Sequence, residues 1–135
     1  MAFLEKIFAA ATARRARVVF PEAEEPRVAA AMAQLEAGGI CMPLALGEVT
    51  DAQVAALVAA RGMKEAMAQR LLAKPLYRAA AMVAAGEADV MVAGADSPTR
   101  RVIEAAAMAI GPAEGVSTAS SFFVMLFPDG REVIF

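Results

Sequence analysis

Residues 86–126 read GEADVMVAGADSPTRRVIEAAAMAIGPAEGVSTASSFFVML, and this stretch decides the fold. A short apolar run, Asp89-Val90-Met91-Val92-Ala93, leads into Gly94-Ala95. Asp96, Ser97, Pro98, Thr99, Arg100 and Arg101 then open a helix, and a second strand is expected over 120–126, beginning at Ser120 and Ser121. Ser97 reads as the N-cap, its hydroxyl accepting from a free first-turn N–H. Pro98 suits the first helical position, where no N–H is needed and φ is already set. Gly94 leaves room for a group to approach the backbone. A strand feeding a helix N-terminus presents unpaired N–H groups and the positive end of the helix dipole, which favours a phosphate or carboxylate. Thr99, Arg100 and Arg101 add a hydroxyl and two guanidinium groups at that end. Cations there oppose the helix dipole, so their placement favours an anion role. Neighbouring helical positions diverge by about 100°, so one of the two arginines, Arg100 by its place, is expected to face the site. The plain alternative is a capped strand–helix turn with solvated arginines.

Working outward, residues 2–13 read as an amphipathic helix with Phe3, Leu4, Ile7 and Phe8 on one stripe, closed by Arg14 and Arg15. Arg17–Phe20 is a short buried strand ended by Pro21, and Pro26 opens a helix that Gly38-Gly39 stops. The glutamates between them, Glu22, Glu24 and Glu25, read as helix-dipole partners facing water. Ile40–Leu46 is the next strand, and Pro43 within it marks an edge. Thr50 and Gln53 form a capping box for a helix stopped at Gly62. A short helix over 63–73 and one opened by Pro75 and ending at Gly86 precede the quoted stretch. After it, Pro128-Asp129-Gly130 joins two apolar runs as a hairpin. Alternating strands and helices predict an α/β fold with a mainly parallel sheet flanked by helices, and the hairpin adds antiparallel pairing at one side. Strand 89–93, with one charge, is expected inside the sheet. Residues 1–135 read as a single domain. The chain stops in an apolar strand at Val133-Ile134-Phe135, which predicts missing sequence or a covering partner.

Composition narrows the function. Hydrophobic residues make up 59% of the 135, far from a disordered composition. A net charge of −2 and the lack of a basic run argue against a nucleic-acid surface. Mean hydropathy is +0.53. The longest candidate membrane span, 76–95, is nevertheless broken by Arg78, Gly86, Glu87 and Asp89, and no signal-peptide core opens the chain. These features predict a soluble, cytoplasmic protein. Cys41 is the single cysteine, and the histidine count of 0 excludes serine–histidine, cysteine–histidine and histidine–zinc chemistry within the chain.

The sequence resembles the phosphate acetyltransferase and phosphate butyryltransferase family. The resemblance rests on an ordered set of stretches: RVVFPEAEEPRV over 17–28, PLYRAAAMVAAGEADVMVAG over 75–94, Ala95–Thr99 with the helix to Ile110-Gly111, and GVSTASSFFVM over 115–125. Arg131–Phe135 looks like the start of the family's next strand. The segment 47–74 is shorter than usual in the family. The resemblance implies exchange of an acyl group between acyl phosphate and coenzyme A, with coenzyme A a substrate and no cofactor or metal held. It implies a two-domain fold like that of isocitrate and isopropylmalate dehydrogenases, usually in a homodimer, of which this chain would be most of the first domain. The family's catalytic serine, arginine and aspartate belong to the second half and have no counterpart here. Where Ser97 and Glu104 stand, the family often has histidine and arginine, and an acid near a phosphate site opposes phosphate by like-charge repulsion.

The candidate substrate and phosphate residues are therefore Gly94, Ser97, Thr99, Arg100, Arg101, Ser120 and Ser121. Implied ligands are acyl phosphate, coenzyme A and phosphate; implied partners are a second copy or the second half, without nucleic acid or membrane. A non-catalytic ligand-binding or oligomerisation module is the competing reading. A small dinucleotide-binding domain is disfavoured, because no Gly-rich fingerprint follows a strand.

Overall fold

The computed structural model describes residues 2–135. Eleven elements follow in order: α1 (Ala2–Arg14), β1 (Arg17–Val19), α2 (Pro26–Ala37), β2 (Met42–Leu44), α3 (Asp51–Arg61), α4 (Glu65–Leu72), α5 (Pro75–Ala84), β3 (Val90–Met91), α6 (Thr99–Ala109), β4 (Val124–Leu126) and β5 (Glu132–Ile134). β1 lies between β2 and β3 in a three-stranded parallel sheet. Its alternating side chains seat a helix on each face. Val19 meets Ala79, Met82 and Ala88 from the α5 side. Val18, with Phe20 and Cys41, meets Val28, Met32 and Leu35 of α2.

A larger core joins four helices through Val54, Leu57, Ala68, Leu72, Ala80, Ala81, Ala105 and Ala109. Five of these eight are alanines, and those of α5 and α6 let the two helices pack closely. That packing brings the N-termini of α5 and α6 to the same end of the molecule. Arg61 reinforces it by donating to the carbonyls of Ala107 and Met108 at the end of α6.

The sheet differs from the expected one in two respects. β1, not the 89–93 strand, is central; β3 pairs only with β1, and Val90 and Val92 are exposed. Among the described residues the hairpin pairs with no other strand: β4 and β5 form their own antiparallel sheet, with Val124 opposite Ile134. The strand expected over 120–126 is confined to its last three residues, and Ser120 and Ser121 precede it in exposed coil. Pro43 does lie on an edge strand, β2. On α1 no residue is buried: Leu4, Ile7 and Phe8 of the stripe are exposed and Phe3 is half-buried.

The capping box at Thr50 is half realised. Thr50 Oγ1 accepts from the Gln53 N–H at 3.2 Å, but the Gln53 side chain turns to Glu87 instead of returning to the cap. Glu87 accepts from Thr50 Oγ1 at 2.7 Å and Gln53 Nε2 at 2.8 Å, tying α3 to the turn before β3. The Gln53 amide NH2 makes a charge-assisted bond to the carboxylate, and among the described residues its Oε1 is left buried without a hydrogen-bond partner. Arg17 and Asp89 pin the other end of that turn with a two-pronged pair.

Leu57, with 0% exposure at the centre of the helical core, should be the costly site to truncate. Leu57→Ala is expected to lose about 2–5 kcal/mol in urea unfolding. Ile103→Ala, on an exposed face, should stay within about 0.5 kcal/mol.

Candidate functional site

β1 and β3 run parallel in register, Val19 opposite Met91, so their C-terminal extensions emerge side by side. Glu22 lies as far beyond Val19 as Gly94 lies beyond Met91. There the Glu22 carboxylate meets the loop that leads to α6. Its Oε1 accepts from the N–H groups of Gly94 at 2.7 Å and Ala95 at 3.1 Å. Its Oε2 accepts from the Asp96 N–H at 2.6 Å and Ser97 Oγ at 2.8 Å. Gly94 makes the turn with φ 122°, a backbone state that side chains disfavour. Partial burial by itself would raise the Glu22 carboxyl, but the donors from Gly94, Asp96, Ser97 and Ala95 outweigh it and hold the group below the usual carboxylate range.

The loop is held from its other side by Arg27, which donates to the Ala95 carbonyl at 3.0 Å. Arg27 also pairs with Glu25 at 2.8 Å. Glu25 in turn caps α2 by accepting from the Arg27 and Val28 N–H groups. The three glutamates expected to face water thus divide their roles. Glu25 serves the helix end, Glu24 is exposed, and Glu22 binds the loop. The first and last agree with an acid beside N–H donors, but Glu22 serves the neighbouring crossover rather than α2.

Ser97 is consequently not the N-cap of α6. Pro98 occupies that position without a side-chain bond, and the helix begins at Thr99. The Ser97 hydroxyl donates to a carboxylate instead of accepting from a first-turn N–H, which is the stronger of the two bonds.

Beyond this loop lies a cleft of about 760 Å3 between the starts of α5 and α6. Its walls include Lys74, Tyr77, Asp96, Ser97, Arg100, Arg101 and Glu104. Both adjacent arginines line it, where only one was expected. Arg100 Nε pairs with Glu104 at 2.9 Å one turn on, while its side chain stays 88% exposed. Gly94 and Thr99 support the loop and helix start but are not among the cleft walls. Ser120 lies elsewhere, beside an apolar groove with Ile103, Ile110 and Val116, and Ser121 borders neither. The structure therefore gathers Ser97, Arg100 and Arg101, and leaves the two serines apart.

Lys74 and Tyr77 were not foreseen. Lys74 precedes α5, and its Nζ lies 5.8 Å from the centre of the Tyr77 ring. Lys74-Pro75 reads in sequence as a helix break; the usable signal was a cation immediately before a Pro-initiated helix. A second cavity of about 490 Å3 backs onto the same loop and carries Glu22, Glu24, Glu25 and Arg78. Loop 94–97 thus separates a cleft bearing three cationic side chains from a mainly acidic one.

A family model described as Phosphate acetyl/butaryl transferase matches residues 2–56 and 50–135. The chain belongs to this family. It is similar to a phosphate acetyltransferase of Paracoccus denitrificans, 36% identical over 141 residues covering 91% of this chain and 44% of that protein. Among solved structures it is similar to EutD phosphotransacetylase from Staphylococcus aureus, with a TM-score of 0.84 and 27% identity over 97% of this chain and 48% of that one. A phosphotransacetylase from Streptococcus pyogenes shares the fold with a TM-score of 0.88 at 22% identity, over 98% of this chain and 50% of that one. The chain spans about half the length of the curated relatives it matches. Among the described residues no helix is long and apolar enough to cross a membrane.

The depressed Glu22 carboxyl has a pH consequence. Its contribution to stability is present above the unfolded carboxylate pKa and is lost as pH falls through the lower folded value. Glu22→Gln should cost about 1–2 kcal/mol at neutral pH, allowing for partial exposure. The gap between the two proteins should close in acid, because protonation removes the same acceptor from the wild type. Urea unfolding at a series of pH values checks both statements.

Proposed function

We propose that this chain supplies the phosphate-side substrate contacts of a phosphate acetyltransferase, which exchanges an acetyl or related acyl group between acyl phosphate and coenzyme A. Convergence carries the reading. Lys74, Arg100, Arg101 and the N-termini of α5 and α6 meet at one cleft in a chain of this family. In the reaction the coenzyme A sulfur, as thiolate, forms a bond to the acyl carbon. The bond from that carbon to the phosphate oxygen breaks, and inorganic phosphate departs with the electron pair. Negative charge grows on the phosphate as it leaves, and preplaced cations and N–H dipoles stabilise it there. The groups that activate the thiol belong, by the resemblance, to the part of the relatives that this chain does not span. The same reading takes 1–135 as most of the first of two domains of a dehydrogenase-like architecture, completed by the second half, in a cytoplasmic homo-oligomer without a resident cofactor.

The module reading finds its support in the hairpin, where Phe122, Phe123, Ile134 and Phe135 are each about 70% exposed. Such a surface favours association over catalysis.

The 135-residue polypeptide is expected to form no acetyl-CoA from acetyl phosphate above background, and measurable turnover would oppose this division of labour. Titration with inorganic phosphate, followed by amide NMR shifts, should move residues 94–101 and 74–77 at millimolar concentrations. Arg100→Ala and Arg101→Ala should each weaken the response. Glu104→Gln should strengthen it by freeing Arg100 and removing a like charge, by a few fold at most for exposed groups. Unmoved shifts at 94–101 would reject the reading.

A further inference from the structure

Glu22 presents a contradiction if the cleft takes an anion: a carboxylate already occupies the strand–helix loop that should receive one. Its position resolves this. Glu22 approaches from the β1 side and consumes the N–H groups of Gly94, Ala95 and Asp96, which precede α6. The cleft lies on the other side of that loop, and Glu22 is not part of its wall. The N–H groups of Thr99 and Arg100, in the first turn of α6, are not engaged by Glu22 and remain available to a ligand.

We propose that Glu22 is the positioning residue of the anion cleft: its carboxylate acts as a built-in anion that fixes loop 94–97 and so sets the start of α6. This rests on the reading of the cleft as a phosphate site. Without Glu22, three adjacent N–H groups and a hydroxyl lose their acceptor, and Gly94 loses the contact that holds it at positive φ. Ser97 belongs to that loop and Arg100 and Arg101 come just after it, so their placement in the cleft follows it. Arg27 restrains only the Ala95 carbonyl and leaves the N–H groups to Glu22.

The alternative is that Glu22 is merely one more acid near the cleft. The two ideas predict opposite signs. Removing a bystander charge strengthens anion binding slightly, whereas removing a positioning group weakens it. Glu24 supplies the control. It stands in the same turn, is exposed, and makes no side-chain hydrogen bond among the described residues.

The experiment measures inorganic phosphate affinity by amide NMR shifts, with amide hydrogen exchange at 94–96, in the wild type, Glu22→Gln, Glu22→Asp and Glu24→Gln. Glu22→Gln should bind phosphate about tenfold more weakly and lose protection at Gly94, Ala95 and Asp96. Glu22→Asp keeps the charge but shortens the reach, and should resemble it. Glu24→Gln should stay within about twofold of wild type. Equal behaviour of Glu22→Gln and Glu24→Gln, or wild-type affinity in Glu22→Asp, overturns the proposal. Should the Glu22 variants fail to fold, wild-type exchange decides. Slow exchange at those three amides supports the clasp, and exchange at the rate of open loops overturns it. A wild type that shows no phosphate shifts rejects the cleft reading instead, while exchange still reports on the clasp.

Discussion

The Glu22 carboxylate, bonded to three consecutive N–H groups and the Ser97 hydroxyl, is the constraint on which the functional end of this molecule depends. Two parallel strands leave the sheet side by side, and each leads into a helix, β1 into α2 and β3 into α6. Backbone groups in such a crossover lose their ladder partners and need others. A single side chain from the first crossover provides them for the second. Charge-assisted bonds of this kind are stronger than neutral ones, which is why Ser97 gives up its role at the helix end to join them.

From this clasp the cleft follows in steps. The fixed loop sets where α6 begins, alanine packing sets where α5 lies against it, and the two N-termini converge. Charge then tunes the result. Arg100 pairs with Glu104, so part of its charge is balanced within the helix, while Lys74 and Arg101 have no such bridge among the described residues. On the proposed phosphate reading, an acid at position 104 restrains anion affinity rather than abolishing it, because the pair is exposed and a phosphate with two charges can compete for the guanidinium.

Much of this order was legible in the sequence because it depends on local chemistry. Pro26, Pro75, Thr50 and Gly62 mark helix ends by their own backbone and hydrogen-bonding properties, and the structure places helix ends there. Pro43 marked an edge strand because it donates no ladder bond. What escaped depends on partners distant in sequence. Glu22 and Asp96 are brought together only by the pairing of β1 with β3, so no window around Ser97 reveals that its hydroxyl is taken. Lys74 and Tyr77 reach the cleft only through α5–α6 packing. Residues 122–126 are apolar enough for a strand, but pairing reaches back only to Phe123, which exchanges N–H···O bonds with Phe135, so Ser120 and Ser121 stay outside the sheet and away from the arginines.

The clasp itself is directly measurable. Scalar couplings across hydrogen bonds can be sought between the amide nitrogens of Gly94, Ala95 and Asp96 and the carboxyl carbon of Glu22. The account predicts couplings from Gly94 and Asp96, whose bonds are the shortest at 2.7 and 2.6 Å, with a weaker one from Ala95 at 3.1 Å. Absence of all three, with these amides exchanging freely with water, would contradict it.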